Sequence, residues 1–266
     1  MDLAAYLERI GVGADAGLAE IHRAQVTTIP FENLDSHGGI PVSLEAADLE
    51  RKLVHERRGG YCFEHNMLLC EALTALGMDV EPMLGRVRLG RPPGSPRPRT
   101  HLVLRVHAED RVWLADAGFG NGTLLEPIPF GPGDEHEQSG WRFRLVQDGA
   151  EHVLQTATAG GWTDVYGFVP EPVPVIDIET SNWFTCTHPS SPFVTGLIVA
   201  VNQSDGTRVV LSDREGLRLA RHAPASSDVS RPAHREIPAL LETVFGLPGF
   251  ALGDNGRVTR RATDSE

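Results

Sequence analysis

Apolar residues recur at helical spacing over the first eighty positions of the chain. Leu3, Tyr6, Leu7 and Ile10 make one stripe, and Leu18, Ile21 and Ala24 make a second; each predicts an amphipathic helix. Pro30 interrupts the pattern within residues 28–34. Ser43 offers an N-cap for a third helix, half-formed because Ala46 stands where a capping box has Glu or Gln. That helix runs to about Arg57 and stops at Gly59-Gly60. A further apolar-periodic run covers residues 61–76 and ends at Gly77. From residue 80 the pattern becomes strand-like. Residues 80–89, 101–107, 111–117, 141–147 and 152–156 read as strands, with a Pro/Gly/Arg loop over 90–99. Residues 170–192, punctuated by proline, read as extended. Residues 196–201 and 207–212 read as two more strands, 237–245 as a helix, and the polar tail beyond Gly253 as frayed. No internal repeat is visible.

Composition places the 266 residues among ordinary soluble globular proteins, with 41% hydrophobic and 23% charged residues. No apolar stretch approaches the roughly 18 residues of a membrane span, and the N-terminus carries no basic region followed by a hydrophobic run. Neither a membrane association nor secretion is therefore expected. Cys62, Cys70 and Cys186 are an odd number without zinc-site spacing, which points to reduced thiols and a cytoplasmic location. The net charge of −12 disfavours nucleic-acid binding. All basic residues but Lys52 are arginine, a bias that fits a GC-rich genome. Against the overall charge, Arg86, Arg88, Arg91, Arg97, Arg99 and Arg105 form a run without an intervening acid. It reads as a solvated loop or as a positive field for a phosphate-bearing substrate.

Cys62 is the sharpest candidate nucleophile. It follows Arg58-Gly59-Gly60-Tyr61 and opens a helix, where unpaired N–H groups and the positive dipole end favour thiolate and offer donors to an oxyanion. The alternative is a small buried hydrophobe. A thiol nucleophile needs a base, and the base an orienting group. The hairpin formed by the strands at 101–107 and 111–117 supplies both. With His107 opposite Asp110, His101 falls opposite Asp116 on the same face, so a carboxylate lies beside an imidazole. The same register matches Val103 with Leu114 and Leu104 with Trp113. Gly118-Phe119-Gly120-Asn121-Gly122 lets the backbone approach a ligand or simply turn. The remaining histidines show no metal-ligand spacing, so no metal is expected; Cys70 and Cys186 read as structural.

The segment Arg58-Gly59-Gly60-Tyr61-Cys62-Phe63-Glu64-His65-Asn66 resembles the active-site signature of the arylamine N-acetyltransferases. Ile29-Pro30-Phe31-Glu32-Asn33-Leu34, Gly85-Arg86-Val87, Thr100-His101, Asp116-Ala117-Gly118-Phe119-Gly120 and the later Asn182-Trp183-Phe184 through Phe193 are similar too, in the same order. One departure is Ala117, where members often have Val. The resemblance covers residues 3 to 250. It implies an α+β, cysteine-protease-like fold: a helical bundle over 1–80 carrying the nucleophile, a β-barrel over 81–185 carrying the histidine and aspartate, and an α/β lid over 186–266. It implies a Cys62–His101–Asp116 triad, reached above from the residues as well. It further implies an acceptor pocket shaped by Phe31, Val87, Phe119 and Phe193, with Gly118, Phe119 and Gly120 near the donor's pantetheine arm. The implied reaction moves an acetyl group from acetyl-CoA to an aromatic amine or hydrazine in two steps. Some members instead close macrolactams from a polyketide thioester on an acyl carrier protein, using the same triad; that is the alternative. A cysteine hydrolase and a non-enzymatic binding module are the readings from other classes. The first is disfavoured by the acetyltransferase-like flanks, the second by the intact triad.

Overall fold

The computed structural model describes residues 1–92 and 94–261. The amphipathic stripes at the start fold as α1 (Leu3–Ile10) and α2 (Leu18–Thr28). Asp2 caps α1 by accepting from Ala5 N–H, and Gly11 closes it in the left-handed region at φ 77°. A two-residue strand β1 (Phe31–Glu32) and a short α3 (Leu34–Gly38) follow. The third predicted helix starts later than Ser43. Ser43 Oγ accepts from Glu45 N–H, and the helix begins as α4 (Ala46–Leu49), then widens into one π turn over Glu50–His55. α5 (Cys62–Ala75) begins at the predicted nucleophile. α1, α2, the π turn and α5 enclose one core that includes Tyr6, Ile21, Leu53, Leu69 and Leu73.

Eight strands build the central sheet: β2 (Asp79–Val87), β3 (His101–Ala108), β4 (Arg111–Ala115), β5 (Ile128–Pro129), β6 (His136–Gln138), β7 (Trp141–Asp148), β8 (Glu151–Thr158) and β9 (Gly161–Phe168). Their order is β5-β4-β3-β2-β9-β8-β7-β6, every pair antiparallel. The sheet curls into a nearly closed barrel, filled by residues such as Met83, Val103, Phe143, Leu154 and Phe168. The sequence pattern missed β9 because its C-terminal half, Val165–Phe168, is buried continuously and does not alternate.

Beyond the barrel lie α6 (Val175–Thr187), α7 (Pro192–Thr195), β10 (Ile198–Asn202), β11 (Arg208–Ser212), β12 (Arg218–Ala223), β13 (Ser226–Ser230), α8 (Ile237–Thr243), β14 (Phe250–Leu252) and β15 (Val258–Arg260). The five-stranded sheet has the order β1-β10-β11-β12-β13, so a strand from the helical segment forms its edge. The fold class is α+β, as expected. The extended reading of 170–192 is overturned: the prolines flank helices rather than interrupt them. Pro174 is the N-cap of α6 and Pro192 is the first residue of α7. β12 and β13 escaped notice because their faces are largely polar. The tail is ordered at least to β15, which pairs with β14.

The β3–β4 register differs from the predicted one. Ala108 faces Arg111 and His107 faces Val112, around a two-residue turn in which Glu109 and Asp110 both take positive φ, 55° and 57°. The turn is two residues long in both pairings, but it sits one residue further along the chain than expected, which moves every cross-strand partner by two positions. A slip of two preserves which face each side chain occupies. His101 and Asp116 thus remain on one face, now as diagonal neighbours and not directly opposed.

Candidate active site

Gly59 and Gly60 bring the turn before α5 against β1. Glu32 N–H donates to Gly60 O at 2.8 Å, and a Cβ on Gly59 would stand 2.0 Å from Pro30 O. Only glycine fits there. The next turn starts at Cys62, which is 3% exposed, with Sγ 3.6 Å from Thr100 O. Thr100 immediately precedes His101 at the start of β3, so the helix start and the strand start meet at the thiol.

His101 Nε2 lies 2.8 Å from Asp116 Oδ2, and both side chains are buried. Burial alone would strip the proton from His101. The Asp116 carboxylate, helped by Cys62, outweighs burial and holds the imidazole up to about 10. Burial likewise pushes the Asp116 carboxyl up, but His101, the Asn66 amide and Gly118 N–H prevail and keep it below the usual carboxylate range. The ring of His101 is packed edge-on to Phe119, at 5.1 Å between centroids, and 4.6 Å from Tyr166.

Two residues outside the expected set hold this pair. Asn66 lies one helical turn after Cys62. Its Nδ2 donates to Leu102 O (2.6 Å) and Asp116 Oδ1 (2.9 Å), and its Oδ1 accepts from Ala117 N–H (2.9 Å). One amide thereby ties α5 to β3 and to the loop after β4. His22, on α2, accepts from Asp116 N–H through Nε2 (3.1 Å) and bonds Leu125 O through Nδ1 (3.1 Å). Burial lowers its pKa, so it stays neutral with its proton on Nδ1. The i, i+4 spacing of Cys62 and Asn66 was the available signal for the first; nothing local marks the second.

The loop after Asp116 presses on the nucleophile. A Cβ on Gly118 would lie 2.7 Å from Cys62 Cα and 2.9 Å from Asn66 Nδ2. Gly118→Ala is therefore expected to cost about 1–3 kcal/mol of stability as overpacking against backbone, read as a lowered Tm.

Cys62 and His101 open into a cavity of about 520 Å³. Phe31, Val87, Phe119 and Phe193 all line it, as does Gly118. Gly120 sits beneath Phe31, where a Cβ would meet the ring at 3.0 Å, and is not part of the lining. Asn33 fixes the segment carrying Phe193: its Nδ2 donates to Phe193 O and Gly196 O, both at 2.7 Å. Of the predicted arginine run, Arg91 and Arg97 reach the cavity, whereas Arg88 pairs with Asp148, Glu151 and Asp164 and Arg105 with Glu81. Among the described residues no cluster of three or more His, Cys, Asp or Glu is placed to hold a metal, and no helix is long and apolar enough to cross a membrane.

The N-acetyltransferase family model matches residues 16–249. The arylamine N-acetyltransferase of Mycolicibacterium smegmatis is 41% identical over 263 residues, 96% of this chain and 94% of that protein. The chain belongs to the arylamine N-acetyltransferase family. A family member from Salmonella typhimurium, named arylamine N-acetyltransferase / N-hydroxyarylamine O-acetyltransferase, is 34% identical and spans 91% of this chain and 85% of its own. Among solved family structures, Mycobacterium marinum arylamine N-acetyltransferase in complex with CoA superimposes with a TM-score of 0.87 at 36% identity, over 92% of this chain and 93% of its own. The M. smegmatis enzyme superimposes with a TM-score of 0.88 at 40% identity, over 97% and 95%. These relatives are acetyltransferases by name and lend nothing to the macrolactam-forming alternative.

Proposed function

We propose that Cys62, His101 and Asp116 work as a Cys–His–Asp triad. The protein is an arylamine N-acetyltransferase that moves an acetyl group from acetyl-CoA to an aromatic amine or hydrazine. The observation that carries the triad is a thiol at a helix start and a buried His–Asp pair opening into one aromatic-lined cavity.

The chemistry follows from the positions. Asp116 occupies Nε2 of His101, so Nδ1 is the nitrogen left to exchange a proton with sulfur. An imidazolium facing the thiol is the setting in which a sulfur nucleophile is most reactive. Sulfur attacks the thioester carbonyl, and in this scheme the unpaired backbone N–H groups of the first turn of α5 receive the oxyanion. The carbon–sulfur bond to CoA breaks, and the CoA sulfur takes the proton from His101. Acetyl-Cys62 remains. The amine nitrogen attacks it, His101 removes the amine proton, the Cys62–acetyl bond breaks and the amide leaves. Phe31, Val87, Phe119 and Phe193 form the acceptor's walls in this scheme, and Gly118 and Phe119 lie along the donor's arm, with Gly120 behind them supporting the Phe31 ring. The reading keeps a helical part carrying the nucleophile, a barrel carrying His101 and Asp116, and a lid, with α6 falling beyond the last barrel strand. It also keeps a cytoplasmic location, which three free cysteines support.

Intact-protein mass after mixing with acetyl-CoA alone tests the scheme. The expected result is one acetyl adduct, removed by an arylamine and absent in Cys62→Ala. A folded wild-type protein that takes no acetyl, or a variant that still takes it, would overturn it.

A further inference from the structure

The chain holds twelve more acidic than basic residues, yet the cavity above Cys62 is lined by three arginines, Arg91, Arg97 and Arg214, and by no aspartate or glutamate. The three are held differently. Arg97 is occupied by carbonyls, donating to Val87 O at 2.8 Å and Pro92 O at 2.6 Å. Arg91 and Arg214 make no ion pair and no side-chain hydrogen bond among the described residues. The carboxylate next to Arg214 in the chain, Asp213, turns Oδ1 to Leu197 N–H at 2.7 Å. Partial burial and the neighbouring Arg91 charge both work against the Arg214 guanidinium, and Asp213 only partly offsets them. Among the described residues, two like charges thus face one cavity whose lining holds no carboxylate.

Arg214 is also aimed along the aromatic wall. Its guanidinium carbon lies 5.6 Å from the centroid of the Phe193 ring. Phe193 in turn stands 6.2 Å from Phe31 and 5.5 Å from Tyr61, the residue before Cys62. An aromatic ring lying against this wall with its amine at the thiol would point its far substituent toward the arginines. We infer that Arg214, with Arg91, makes the cavity selective for aromatic amines that carry a carboxylate on the ring. This rests on the acetyl-Cys62 reading above. A guanidinium in open water gains little from an ion pair. Over the face of Phe193, in the cavity lining, it gains more, and the gain is screened by salt. The other anion available to these arginines is a phosphate of the donor, which the test separates.

The test compares kcat/KM for 4-aminobenzoate and for its uncharged methyl ester at saturating acetyl-CoA, with the KM for acetyl-CoA measured in parallel. The two amines differ in basicity, so the readout is the change in their ratio between proteins. Arg214→Gln is expected to lower the acid-to-ester ratio about tenfold, mainly through KM of the acid. Arg91→Gln should lower it less, and Arg214→Lys should restore part of it. Raising the ionic strength should lower the wild-type ratio. A ratio unchanged in both glutamine variants overturns the inference. So does a ratio that holds while KM for acetyl-CoA rises, which assigns the arginines to the donor's phosphates. If wild type forms acetyl-Cys62 and the ratio does not move, the inference alone fails; if wild type forms no acetyl-Cys62, the proposed function fails and takes the inference with it.

Discussion

Asp116→Asn is expected to lower kcat about 10⁴-fold, the loss the same change causes in hydrolase triads, while the protein stays folded. The reason lies in which atoms Asp116 uses. Oδ1 accepts from Asn66 Nδ2 and from Gly118 N–H, and Oδ2 faces His101 Nε2. An asparagine keeps its carbonyl oxygen where two donors point at it, because turning the amide would set N–H against N–H. Its NH₂ then faces His101 and donates to Nε2. That places the imidazole proton on Nδ1, the nitrogen that has to accept one from sulfur. The substitution also removes the carboxylate that keeps the buried imidazole charged. Both effects act on the same proton. Acetyl-adduct formation followed by rapid-quench mass measurement, alongside a circular-dichroism melt, checks the expectation. Activity within tenfold of wild type in a folded variant would show that His101 is not oriented through Asp116.

The second large effect is on stability. Lys52→Met is expected to destabilise the protein by about 3–5 kcal/mol, a Tm shift on the order of 10 °C. Lys52 sits on the π turn, nearly buried, with Nζ 2.6 Å from both Asp35 Oδ2 and Glu64 Oε1. Arg58 completes the cluster, at 2.7 Å from Asp35 and 2.6 Å from Glu32. Removing the ammonium leaves the buried Glu64 without its cation, and the buried Glu32 and half-buried Asp35 with Arg58 alone. The loss also reaches the nucleophile, because Glu64 Oε2 accepts from Tyr61 N–H at the cap of α5.

The pH dependence has a definite sign. In the wild type, burial already pushes the Glu64 carboxyl up to about 7, with the Lys52 ammonium pulling it down. Without Lys52 the folded-state pKa of Glu64 rises further above its unfolded value of about 4.3. Asp35, held low by Lys52 and Arg58 against the pull of burial, loses one of those cations. A carboxyl whose folded pKa is raised subtracts stability as pH climbs from its unfolded to its folded pKa. The penalty of Lys52→Met should therefore be small near pH 4 and largest above neutral pH. Denaturant titrations of both proteins across that range measure it. A penalty that does not grow with pH would show that the cost comes from packing and not from uncompensated charge.

The helix starting at Cys62 is legible in the chain, because Gly59-Gly60 before it and the apolar period after it are local signals. The shared face of His101 and Asp116 is legible too, since the face survives a slip of two residues even though the register does not. The register required knowing that Glu109 and Asp110 accept positive φ, a conformation non-glycine residues take only where the surrounding sheet demands it. The helix α6 was hidden because its apolar residues Val175, Ile176 and Trp183 are exposed and blur the periodicity. What surrounds the triad is set by long-range packing. Asn66 and Asp116 are 50 positions apart, and His22 and Asp116 are 94 apart. No periodicity links such residues; burial forces each polar atom to find a partner, and packing of α2, α5, β3 and β4 chooses which one. The same holds for Arg214. As a letter in the chain it is one arginine among many. It acquires a specific place only because β11 and α7 bring it over Phe193, in the lining of the cavity that Cys62 opens into.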